Sequence, residues 1–81
     1  MINLIWVKNN YFPSIKTKHG NYTCHVFKIW KLNSYSLAVF FKVGFDKNEI
    51  IFVYAVNSEE AGKKLAKMLV EAHMKSLNNN D

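Results

Sequence analysis

From Tyr35 to Phe45 every second residue is apolar: Leu37, Val39, Phe41, Val43 and Phe45. A period of two sets these side chains on one side of a β-strand, so the chain must hold a sheet with a core against at least one face. The flanking stretches are of the same kind. Ile2 to Val7 is a short apolar strand closed by Asn9-Asn10 and Pro13, and Ser14 to Lys18 is a short edge strand. Tyr22 to Lys31 is rich in β-branched and aromatic residues, and Glu49 to Val56 is the last strand. His19-Gly20-Asn21 is a turn and Asn33-Ser34 a tight connection. Asp46-Lys47-Asn48 is a hairpin loop in which Asn48 suits a left-handed backbone.

The pattern changes after Val56. Asn57 or Ser58 can cap a helix whose first turn holds Glu59 and Glu60, where carboxylates complement the helix dipole. Ala61, Leu65, Met68, Leu69 and Ala72 recur at three- and four-residue spacing and define its buried stripe. Glu60–Lys64, Lys67–Glu71 and Glu71–Lys75 lie four apart on the wet side. Gly62 costs the helix up to about 1 kcal/mol unless it permits close approach to the sheet. The helix is expected to end near Leu77. The fold class is therefore α+β: an antiparallel β-sheet of three to five strands with one C-terminal α-helix packed on one face. Residues 1–77 form a single compact domain, and 78–81 a frayed polar tail.

Eighty-one residues leave room for one core, and 49% hydrophobic with 15% aromatic content excludes a disordered chain. No apolar run approaches the roughly 20 residues of a membrane span. The opening Met1–Val7 lacks a basic leader and a cleavage site, so no signal peptide is expected. One cysteine cannot form an internal disulfide, which fits a reducing compartment and a cytoplasmic protein. The net charge is +5, all of it lysine, with no arginine in the chain. Without arginine's planar fork, sequence-specific reading of duplex DNA is not expected. Acidic proteins and single-stranded nucleic acid remain suitable partners.

With three-residue hairpin loops, Ile29 falls opposite Val39, Phe27 opposite Phe41, and Val53 opposite Phe41 on its other side. One face then carries His25, Phe27, Ile29, Leu37, Val39, Phe41, Val43, Ile51, Val53 and Ala55 as a floor for the helix. A two-residue turn at Asn33-Ser34 would instead put Lys28 in the middle of that floor, which is costly for an unpaired charge. The opposite face is left with Val26, Lys28, Trp30, Ala38, Phe40, Lys42, Ile50, Phe52, Tyr54 and Val56. An ordinary half-wet antiparallel sheet is polar there, and one helix cannot cover both faces. An apolar patch of this extent marks an interface. Three occupants compete for it: the N-terminal Ile2–Val7 segment with Tyr11-Phe12, a protein (a second copy or a different chain), and single-stranded nucleic acid stacked on the aromatics beside Lys28 and Lys42.

Chemistry other than binding finds little support. Cys24 and His25 are neighbours on a strand and point to opposite faces, so they cannot share a metal or act as a thiolate–imidazole pair. A structural zinc would need Cys24, His19, His25 and the distant His73 to converge. A nuclease with His25 or His73 as base lacks a carboxylate partner. No glycine-rich phosphate loop or nucleophile elbow is present. No enzyme, metal or cofactor is expected.

A very short, lysine- and asparagine-rich domain of one antiparallel sheet and one helix resembles small phage-encoded accessory proteins, anti-CRISPR proteins and other inhibitors of bacterial defence among them. The resemblance is one of plan and carries no motif. It implies a non-catalytic binding protein that blocks a host protein or protein–nucleic acid complex. The expected contact surface is Lys28, Trp30, Phe40, Lys42, Phe52 and Tyr54 on the outer sheet face, with the Lys16–Lys18 segment. The alternative is a single-stranded nucleic-acid binder using the same face.

Overall fold

The computed structural model describes residues 2–9, 14–29 and 34–78. Five strands, β1 (Val7–Lys8), β2 (Ser14–His19), β3 (Tyr22–Lys28), β4 (Tyr35–Gly44) and β5 (Lys47–Val56), form one antiparallel sheet, followed by α1 (Glu59–Asn78). The spatial order β1-β2-β3-β4-β5 is the chain order, as expected when each strand hairpins onto the last. Gly20 makes the β2–β3 turn at φ +58, a conformation that costs an L side chain but not glycine. No helix among the described residues is long and apolar enough to cross a membrane.

Apart from β1, which is Val7–Lys8 rather than Ile2–Val7, the strands lie close to where the sequence places them, but the pairing differs. Val26 is opposite Leu37, Cys24 opposite Val39 and Tyr22 opposite Phe41. Lys28 pairs with Tyr35, and the Ile29 amide donates to the Ser34 carbonyl at 3.0 Å. In the next hairpin Gly44 pairs with Lys47, so the turn is Phe45-Asp46, and Asp46 rather than Asn48 takes the left-handed backbone at φ 55. Val53 is therefore opposite Ala38, not Phe41. Both displacements are by an odd number of residues, and an odd slip exchanges the faces of a strand. Tyr22, Cys24 and Val26 join Leu37, Val39 and Phe41 under the helix; His25, Phe27 and Val53 turn outward. A bulge at Ile51, where Val39 pairs with Phe52 and Phe40 with Ile50, keeps Ile50 on the outer face too.

The core consists of Ile15, Tyr22, Cys24, Val26, Leu37, Val39, Ala66 and Val70. On the helix side its centre is Gly62, Ala66 and Val70, spaced four apart, flanked by the half-buried Leu65 and Leu69. The expected stripe is thus rotated: Met68 and Ala72 are exposed. The rotation follows from size. Small residues let the helix axis approach the sheet, and a Cβ on Gly62 would stand 2.9 Å from both γ-carbons of Val26. Val26 is a fully buried, β-branched side chain that cannot swing aside. We expect Gly62→Ala to destabilise, since overpacking costs about 1–3 kcal/mol while the gain in helix propensity is about 1 kcal/mol. Thermal unfolding followed by circular dichroism should show a midpoint lowered by roughly 5 °C or more, where propensity alone would raise it.

Ser58 supplies the cap, its Oγ accepting the Ala61 amide at 3.0 Å. Glu60 pairs with Lys63 at 3.3 Å rather than with Lys64. Glu71 Oε2 accepts the Ile2 amide at 3.2 Å, which ties the start of the chain to the helix. Ile2, Leu4 and Trp6 pack against the core, and the buried Thr17 hydroxyl donates to the Ile5 carbonyl at 2.6 Å. Residues 2–6 thus cover the helix side of the sheet and not its outer face, and only Val7–Lys8 of this segment is strand. Tyr11 and Phe12 lie outside the described residues.

Candidate docking face

The outer face is built by alternation. Along β2 it presents Lys16 and Lys18, along β3 Thr23, His25 and Phe27, along β4 Ser36, Ala38, Phe40 and Lys42, and along β5 Ile50, Val53 and Ala55. The smallest of the central side chains, Ala38, lies at the middle of this surface. Larger neighbours rise around it, and a cavity of about 530 Å³ results, walled by His25, Phe27, Phe40, Ile50 and Val53 with Asn9, Ser14 and Lys28 at one end. Ala38 is only 7% exposed at the bottom, whereas Ile50 and Val53 are 58% and 60% exposed on the wall. Apolar side chains this open to water favour removal from it, at about 25 cal/mol per Å².

Charge is divided across the same face. Lys16, Lys18 and Lys42 are exposed on it, and none of the described residues assigned to it is a carboxylate. His25 stands between the two halves, its ring edge-on to Phe40 with centroids 5.7 Å apart. Desolvation by burial, and then the nearby Lys16 ammonium, hold its pKa below the usual histidine value. The unfolded chain therefore binds a proton at His25 more readily than the folded one, and stability must fall as pH drops through and below about 6.5. Urea unfolding at pH 7.5 and 5.5 should show the lower midpoint at pH 5.5, with a smaller difference in His25→Gln.

Of the residues expected at this surface, Lys16, Lys18, Phe40 and Lys42 are on it. Lys28 is at the end of β3, on the shared rim of the large cavity and of a second cavity of about 280 Å³ that reaches Tyr35 and Glu59. Trp30 lies outside the described residues. Phe52 and Tyr54 are corrected to the helix side, where their rings stack at 6.4 Å. His25, Phe27 and Val53 take their place beside Ile50, which is outward as expected. The signal that could have found them is the neutral trio Tyr22, Cys24 and Val26, which makes a better floor than Thr23, His25 and Phe27.

Cys24 and His25 do point to opposite faces. Cys24 is buried among core residues and its thiol is pushed up to about 11 by desolvation, so it is protonated at neutral pH. Among the described residues no three His, Cys, Asp or Glu side chains group as metal ligands do. His73 belongs to an aromatic cluster under the helix. Its Nδ1 is hydrogen-bonded to Tyr22 Oη at 2.6 Å, and the rings of Phe41 and Phe52 lie 5.1 and 6.3 Å away.

No family model, curated protein or solved structure matches this chain.

Proposed function

We propose that this chain is a non-catalytic binding protein that docks a partner protein on the outer face of its sheet. The observation that carries the reading is the open apolar cavity floored by Ala38 and lined at one end by Lys28, on a face that also carries Lys16, Lys18 and Lys42 and, among the described residues assigned to it, no carboxylate. An isolated sheet of this kind has polar residues on its wet side, and a surface that departs from that rule is retained for contact. The complementary partner offers one or two apolar side chains for the cavity and carboxylates for the lysines. In plan the domain resembles phage accessory and inhibitor proteins. The proposed role is accordingly that of a blocker in the host cytoplasm, occupying a surface of a nucleic-acid-handling defence complex.

Selection from a random peptide display library against the intact chain tests this. The expected peptides pair an aromatic or branched apolar residue with Asp or Glu, and bind in near-physiological salt. A second reading has its own support, because Phe27 and Phe40 share the face with the lysines and single strands stack on such rings. Titration with single-stranded DNA and RNA at two salt concentrations separates the readings. Saturable binding that falls steeply with salt, with no peptide selected, would replace the protein partner by nucleic acid.

A further inference from the structure

We infer that the free edge of β5 pairs antiparallel with the β5 of a second copy, joining two sheets into one. This edge shares Val53 with the wall of the docking cavity, but the inference rests on backbone groups and does not depend on that assignment. β5 is the outermost strand, bonded to β4 alone, and runs for ten residues, whereas the opposite edge strand β1 has two. Ladder alternation identifies which groups are free. Ile29 and Lys42 donate across to Ser34 and Asn21, so the even residues of β4 bond β3 and its odd residues bond β5. Tyr35, Leu37 and Val39 face Val56, Tyr54 and Phe52, which leaves the amides and carbonyls of Val53 and Ala55 aimed outward at the edge.

Natural sheets guard such an edge with charge, proline or short length. From Ile50 to Val56 this edge has no charged residue, no proline and no glycine, and Tyr54 is 47% exposed. The charges that flank the run favour a copy of the same chain as occupant. Lys47 and Glu49 precede it and Glu59 and Glu60 follow it, so antiparallel self-pairing centred on Val53, which sets the outward odd residues opposite each other, carries Lys47 of each copy toward Glu59 of the other. Val53 of each copy then meets Val53 of the other at the seam on the outer face, and the two cavities, each walled in part by Val53, flank it. Pairing through a single strand buries less than the roughly 800 Å² per partner of a standard interface, so the dimer should be reversible.

Analytical ultracentrifugation of the full chain across the micromolar range tests this. The expected result is a mass rising from the 9.4 kDa monomer toward the dimer. Ala55→Pro removes an outward donor while keeping the bonds to β4, and Ala55 does not line the cavity. It should leave a monomer throughout, and Ala55→Lys should do the same if proline disturbs the fold. Phe45→Ser, at a hairpin tip 93% exposed, should leave the dimer intact. A chain monomeric at every concentration overturns the inference, as does a dimer that survives both Ala55 variants with circular dichroism unchanged.

Discussion

Val26→Asp should unfold the domain, while Phe27→Asp, one residue further on, should leave it folded. Val26 is 1% exposed, between Leu37 and the helix at Gly62. Replacing it removes about 2 kcal/mol of apolar burial and places a carboxylate where no partner can reach it. The combined cost of several kcal/mol is comparable with the whole stability of a small domain, about 5–15 kcal/mol. Phe27 is exposed on the outer face, and a carboxylate there stays in water. Urea unfolding read by circular dichroism would show no native baseline for the first variant and a midpoint near that of the parent for the second. The opposite pairing of β3 with β4 demands the reverse outcome, so the pair of variants decides which face the helix covers.

Ala38→Glu should abolish docking without unfolding the sheet. Ala38 floors the cavity, and the opening toward solvent lets a glutamate extend outward, so the fold should lose little. The carboxylate would occupy the place of the partner's apolar side chain and would face the partner's own acidic groups. Loss of a central contact of this kind is worth at least about 2 kcal/mol, or roughly 30-fold in affinity. Calorimetric titration of a selected peptide into parent and variant gives the ratio directly. A change of less than a few-fold would place the contact elsewhere.

The positions of the strands other than β1, the helix and its cap are legible in the sequence because each rests on local chemistry. Alternation marks Tyr35–Phe45, Gly20 marks a turn, and Ser58 followed by Glu59 and Glu60 marks a helix start. The outward set of β4, Ala38, Phe40 and Lys42, was legible for the same reason. Register was not, because β3 and β5 are apolar on both sides and alternation fixes a face only where one side is polar. Lys28 lies in the middle of the floor only if β3 runs on to Lys31. With the strand ending at Lys28, that lysine sits at the rim and the objection to the observed pairing disappears. The placement of Ile2, Leu4 and Trp6 on the helix side depends on the Thr17–Ile5 and Glu71–Ile2 hydrogen bonds, which no local pattern announces. The same ambiguity of parity in β5 puts Phe52 and Tyr54 on the helix side, and with them half of the expected aromatic platform.

The central claim is that function resides on the outer sheet face, and amide chemical-shift mapping tests it most directly. The nitrogen-15-labelled chain, titrated with a selected acidic–apolar peptide, should show its largest shifts at His25, Phe27, Ala38, Phe40, Ile50 and Val53. Shifts concentrated along the exposed side of α1, at Lys64, Met68 and Lys75, or confined to the hairpin tip at Phe45, would contradict it.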